Sequence, residues 1–273
     1  MNIAAFCTTG MTATYRTIAT NVSPVEFNVF RNATSLFAAC IWCACISCNP
    51  IKAFPSQQKC PLVVRILTGQ ANFLFLSLAA PLAPLALVMV FWQTNPFWIS
   101  IVAFCLLREP IIPLELISMF ICFAAVVLIA TQQRNKEEAE IGSIDIAEGE
   151  ETDSINQSDN LLGLGFALAA GVVMSFCAVT SRMLKDTPTP VIIFYHTATG
   201  MGCTLIYILI EMWTTGHSSR LTEYTSYEFL ICLCASAFDT GALLGVTTAY
   251  QADSSGFVAL ISYMNIVYAY ICD

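Results

Sequence analysis

Thr94-Asn95-Pro96-Phe97-Trp98-Ile99-Ser100-Ile101-Val102-Ala103-Phe104-Cys105-Leu106-Leu107-Arg108-Glu109 is the stretch whose reading decides the fold. It lies inside a longer run, Leu62 to Thr131, made of three apolar segments separated only by Pro81/Pro84 and by Arg108-Glu109-Pro110. At 1.5 Å of rise per residue each segment is long enough to cross a hydrocarbon core of about 30 Å. An Asn-Pro pair within such a span frees a backbone carbonyl and adds an amide side chain, and lipid satisfies neither. That helix is therefore expected to face protein or a water-filled cavity.

The bulk composition agrees. Of 273 residues, 57% are hydrophobic and 11% charged, and the mean hydropathy is +0.70. A soluble fold would need an implausibly large core to hide that surface. The apolar runs are continuous over roughly 18 to 24 residues, whereas barrel strands are about 10 residues long and alternate. The expected fold class is an all-α polytopic membrane protein. The net charge of −8 reflects acids concentrated between Glu137 and Asp159, so it says little about partners. Nearly all thirteen cysteines lie in apolar runs, where Cys acts as a small hydrophobe. The cluster Cys40, Cys43, Cys45 and Cys48 has soft-metal spacing but no histidine nearby, and no metal site is assigned to it. Met1 to Thr20 lacks a basic n-region and reads as a first span rather than a cleaved leader.

Apolar length, Pro/Gly breaks and flanking charge predict about nine spans, near 2–20, 25–48, 62–80, 84–107, 111–131, 161–184, 190–211, 227–250 and 255–272. Residues 132–160, rich in Glu, Asp, Ser, Asn and Gln, read as a disordered acidic linker. The linker separates a five-span half, 1–131, from a four-span half, 161–273, and the two look like copies. Arg16 and Pro24 match Arg182 and Pro190 at one offset, and Asn95 matches Asn265 with a drift of about one helical turn. An odd number of spans per copy turns the second upside down, and inverted repeats enclose a cavity near the bilayer midplane. In this register the counterpart of Glu109 falls beyond Asp273, so the second copy is expected to lack its last span. Lys52, Lys59, Arg65, Arg108, Arg182 and Lys185 fall on one side, against Arg134, Lys136 and Arg220 on the other. That bias predicts a cytosolic N-terminus in a plasma membrane or endomembrane. The linker would then be extracytosolic, with Asn156-Gln157-Ser158 a usable glycosylation acceptor.

Several motifs resemble those of the drug/metabolite transporter superfamily, in its EamA-like branch. They are Ser23-Pro24-Val25-Glu26-Phe27 with Arg31; Asn95-Pro96 through Leu107-Arg108-Glu109; and Val258-Ala259-Leu260-Ile261-Ser262-Tyr263. The chain looks most similar to eukaryotic solute carriers related to the nucleotide-sugar transporters. The resemblance implies transport of a small organic metabolite by alternating access, gradient-coupled or by exchange, with a homodimer as a possible assembly. Two departures stand out. The tenth, peripheral helix linked to dimer packing is expected to be lacking, and no basic pair of the kind that holds phosphate-bearing substrates occurs in the expected span nine.

Seven residues are candidates for lining the route. Asp239 sits near the middle of its span, where a charge costs at least about 2.5 to 3.5 kcal/mol and usually faces a cavity. The alternative is a protonated packing residue. His196 has an ordinary pKa near 6.5, suited to a proton-coupled step, or is an interfacial donor to a carbonyl. Arg31 either offers a fork to an anionic solute or snorkels to headgroups, and Arg16 shares that ambiguity. Gln93, Asn95, Tyr263 and Asn265 fall at equivalent depth in the two copies and can grip a neutral or zwitterionic solute, or act as interhelical glue. Nothing supports enzymatic chemistry, a cofactor or nucleic-acid binding: there is no Walker loop, paired-His motif or basic patch. The partners expected are the lipid bilayer and a small-molecule substrate. A non-transporting scaffold or an inactive fragment of a transporter remains the rival reading.

Overall fold

The computed structural model describes residues 1–17, 22–53, 58–79, 82–83, 85–109, 152–215 and 224–253, with scattered positions between 113 and 128 and at 258 and 261. The described residues are helical and include no strand. In chain order the helices are α1 (Asn2–Arg16), α2 (Pro24–Cys45), α3 (Lys59–Ala79), α4 (Leu85–Trp92), α5 (Asn95–Leu107), α6 (Thr152–Met183), α7 (Thr189–Thr215) and α8 (Ser226–Ala252). Among the described residues four stretches are long and apolar enough to cross a membrane: Val90–Leu107, Asn160–Met183, Thr189–Thr214 and Ser226–Ala252. Most of 111–131 and 255–272, and 132–151 of the expected linker, lie outside the described residues. The remainder of that linker is helical, because α6 begins at Thr152 and carries a polar turn ahead of its apolar part.

Local sequence sets the helix ends. α2 starts with Ser23 as N-cap, its hydroxyl accepting from the Val25 amide at 3.4 Å, with Pro24 in the first turn and Glu26 placed against the positive end of the helix dipole. α8 starts with a capping box: Thr225 accepts from the Glu228 amide at 3.3 Å, and the Glu228 carboxylate accepts from the Thr225 amide at 3.0 Å. The span expected at 84–107 is two helices, because Gln93 and Thr94 form a turn ahead of Asn95-Pro96. Pro96 has no N–H to return to the Trp92 carbonyl four residues back, which is the defect the Asn-Pro pair foretold. Both Asn95 and Pro96 are buried.

The described chain forms two compact units by contact. One draws on Met1–Leu67 and Thr180–Asp253, the other on Thr68–Val179. In the first, α1 packs on α8, and α2 packs on both α7 and α8. The α1–α8 seam is close because it is lined by small residues: a methyl group on Gly245 would sit 2.8 Å from the Ala4 β-carbon, and one on Gly241 3.1 Å from Cys7 Sγ. In the second unit Ala79, Ala83, Val88 and Ala167 form a core, and Phe75 of α3 stacks on Phe166 of α6 at 6.1 Å. α2 buries Asn28, Asn32 and Ser35 while Phe37 is 68% and Ile41 48% exposed. Apolar outside and polar inside is the pattern a helix adopts when its solvent is lipid.

Candidate functional site

The polar face of α2 is the centre of the first unit. Asn28, Asn32 and Ser35 recur at helical spacing, so the three stack on one side. Asn28 Nδ2 donates to Thr204 Oγ1 of α7 at 2.7 Å. The Asn32 amide donates back to the Asn28 carbonyl at 2.9 Å, and Ser35 shares a hydrogen with Thr240 of α8 at 2.8 Å. Arg31 lies beside this row, and its Nε donates to Asp239 Oδ2 at 2.6 Å. Asp239 is the central residue of α8. The two side chains are 22% and 10% exposed. Two expectations thus become one feature. The carboxylate that the sequence placed near mid-span is the partner of the guanidinium expected to snorkel or to grip an anion.

His196 is buried in the second turn of α7, in the same unit as Arg31, Asp239 and Arg65. Arg65 corrects the sequence reading. Counted among the loop cations that set orientation, it is instead 3% exposed within α3. Its Nε donates to Ser181 Oγ at 2.6 Å and one terminal nitrogen to Thr247 Oγ1 at 3.5 Å. Arg31, Asp239, His196 and Arg65 therefore belong to one unit, on α2, α8, α7 and α3. The sequence named three of these four. The α2 row is not among the sequence candidates, although its spacing of four and then three residues is the signal that marks one helix face.

Gln93 and Asn95 belong to the second unit, at the break between α4 and α5. Both are buried, and Asn95 Oδ1 has no hydrogen-bond partner among the described residues. Thr94 Oγ1 donates to the Phe91 carbonyl at 2.7 Å and accepts from Trp98 Nε1 at 3.3 Å. Gly171 of α6 lets its backbone lie against this oxygen-rich turn: a methyl group there would be 3.2 Å from the Trp92 carbonyl, 3.5 Å from Thr94 Oγ1 and 3.6 Å from the Phe91 carbonyl. Tyr263, Asn265 and the Arg16 side chain lie outside the described residues.

Two further contacts hold the ends of the first unit. At one, the Tyr224 hydroxyl donates to the Glu26 carboxylate, and Phe30 packs against both Tyr224 and Phe229. Burial, then the bond to Glu26, holds the Tyr224 phenol well above its ordinary value near 10. At the other, Gln251 at the end of α8 clasps the α6–α7 turn. Its amide nitrogen donates to the Leu184 and Thr187 carbonyls at 2.7 and 2.8 Å, and its oxygen accepts from Thr189 at 2.6 Å. Arg182 donates to the Gln251 carbonyl at 3.2 Å.

No family model and no curated protein matches the chain. Among the solved structures that do match, one crystal structure of a protein superposes with a TM-score of 0.72 at 15% identity, covering 99% of this chain and 85% of that one. At that identity the likeness is one of fold.

Proposed function

We propose that the chain is a multi-pass membrane transporter that moves a small organic metabolite by alternating access, driven by a gradient or by exchange. The carrying observation is the Arg31–Asp239 pair, set between apolar helices at the centre of α8. A buried ion pair is a weak source of stability, since the desolvation of two charges offsets their attraction. Ionisable groups in spans usually serve a solute or a proton. Here the pair lies in one unit with His196 and Arg65, a concentration of ionisable groups that packing alone does not require. Asn95, with its unpartnered oxygen in a broken helix, adds the kind of discontinuous element on which transporters build binding sites.

The repeat reading has support in contacts internal to each unit. α2 and α7 open on Ser23-Pro24 and Thr189-Pro190, matched positions of the two copies, and these two helices pack together. Exchanging the copies turns the α1–α8 pairing into α6 with α3, and for that pair one ring contact, Phe166 on Phe75, is the support. On this reading about nine spans form two inverted repeats, and the N-terminus is cytosolic. The seven residues Arg31, Gln93, Asn95, His196, Asp239, Tyr263 and Asn265 line the route.

A scaffold without transport is the second reading. It is favoured by one observation: the α2 row is paired helix to helix, as interhelical glue would be. The test separates the two. Purified protein is screened for solutes that raise its unfolding temperature, because any ligand of the folded state stabilises it. Each hit is then offered to proteoliposomes. Transport predicts uptake in the wild type and its loss in Asp239→Asn. Folded protein that passes none of a panel of amino acids, sugars, organic acids and amines supports the scaffold.

A further inference from the structure

The end of α2 carries a second, unrelated chemistry. The helix closes with a paired turn in which the Cys48 amide donates to the Cys43 carbonyl at 2.9 Å and the Ser47 amide to the Ala44 carbonyl at 3.0 Å. Ser47 supplies the left-handed residue that this motif needs, with φ of 52°. The motif brings the side chains on either side of the turn into contact, here Cys43 and Cys48. With standard bond lengths, a 2.9 Å bond between amide and carbonyl holds their α-carbons no more than roughly 6 Å apart. A disulfide spans about 4.4 to 6.8 Å between α-carbons.

Cys40, Cys43 and Cys48 line one groove of about 490 Å³, together with Ser47, Asn49 and Pro50. All three thiols are free. Among the described residues no three His, Cys, Asp or Glu side chains are grouped to hold a metal, so thiol–disulfide chemistry is what the groove offers. Cys40 is the poorer partner for Cys43. One helical turn apart, their β-carbons stand about 5 to 6 Å from each other, beyond the about 3.5 to 4.5 Å of a disulfide.

We propose that Cys43 and Cys48 are a redox-responsive dithiol that exchanges with a small disulfide of the glutathione type. The part-exposed Cys48 thiolate attacks one sulfur of the small disulfide, whose S–S bond breaks, and the first small thiol leaves. Cys43, 2% exposed, then attacks Cys48 Sγ, forming the internal bond and releasing the second small thiol. The two protein protons end on the two released thiols, and the two-electron oxidation of the protein balances reduction of the small disulfide. The new bond staples the end of α2 to the loop whose Pro50 carbonyl accepts the Tyr195 hydroxyl at 3.2 Å.

The experiment uses the full chain in detergent micelles, equilibrated across a series of reduced and oxidised glutathione. Free thiols are blocked with N-ethylmaleimide in denaturant. Disulfides are then reduced, labelled with iodoacetamide and located by mass spectrometry. Cys43 and Cys48 are expected to label together, at one midpoint potential and in equal amounts. Cys48→Ser should lower Cys43 labelling at least tenfold, and Cys43→Ser should leave a glutathione adduct on Cys48. Cys43 remaining blocked at potentials that oxidise Cys48, or labelling undiminished in Cys48→Ser, overturns the proposal.

Discussion

The two units place their buried polarity differently, although among the described residues each leaves one buried oxygen unpartnered, Ser236 Oγ on α8 in the first and Asn95 Oδ1 in the second. In the first, each member of the α2 row meets a partner on a neighbouring helix or its own, Asn28 with Thr204, Asn32 with the Asn28 carbonyl and Ser35 with Thr240, and Arg31 beside the row meets Asp239. In the second, polarity is concentrated at a backbone defect, where Asn95 Oδ1 is buried without a partner and the turn oxygens lie against Gly171. Polar atoms that are all paired hold helices in register. Those left unpaired cost stability, and they are retained where a solute or ion can complete them.

The sharpest way to break this contrast is to remove one charge of the pair. Asp239→Ala should cost about 3 to 5 kcal/mol, because it strands a guanidinium among apolar helices. Adding Arg31→Met should recover most of that loss while uptake stays absent. Thermal unfolding of the two single variants and the double reads the coupling. A double variant no more stable than Asp239→Ala would mean that the charges are not paired.

Next comes packing. Gly245→Ala sets a methyl group 2.8 Å from Ala4, so α1 must shift, and overpacking of this kind costs about 1 to 3 kcal/mol. Gly171→Ala meets the Trp92 carbonyl at 3.2 Å, where a few tenths of an ångström suffice. The expected order of unfolding temperatures is wild type, Gly171→Ala, then Gly245→Ala, and the reverse order for the two glycines would contradict the seam.

Asn95→Ala should move stability the other way from Asn28→Ala. It removes a buried acceptor that has no bond to lose, and leaving such a group unsatisfied costs about 1 to 3 kcal/mol. Unchanged or raised stability with lowered uptake is the expected signature. A clear loss of stability would show that Asn95 is glue like its counterpart in α2.

The smallest effect concerns Tyr224. A phenol held above its ordinary value contributes its full stabilisation below about pH 10 and loses it as pH rises through the folded value. Tyr224→Phe should therefore lower stability by about 0.5 to 1.5 kcal/mol, equally at pH 7 and pH 9. The gap between variant and wild type should narrow only in stronger alkali. A gap that changes between pH 7 and pH 9 would place the titration elsewhere.

Several of these features were legible in the residues alone. The apolar runs announced helices, and Asn95-Pro96 announced a freed carbonyl and an amide turned from lipid, though not the division of span 84–107 into two helices. Asp239 and Arg31 were each recognisable as charges in spans, yet their pairing was not, because a contact across 208 positions leaves no local trace. Arg65 was misread for a physical reason. It stands near the start of its apolar run, where an arginine usually reaches water, and only the positions of Ser181 and Thr247 on other helices turn it inward. The α2 row was hidden by judging polar residues singly rather than by their angle around the helix.

The clasp at Gln251 implies a chemical asymmetry between an amide and its acid. One nitrogen faces two carbonyl oxygens while the neighbouring oxygen takes a hydroxyl proton, so both faces of the group are read. Deamidation would swap that nitrogen for an anionic oxygen and turn two attractions into two repulsions at the joint between α6 and α7. Slow ageing of one side chain would thus loosen the turn with no change in the length or hydropathy of any helix.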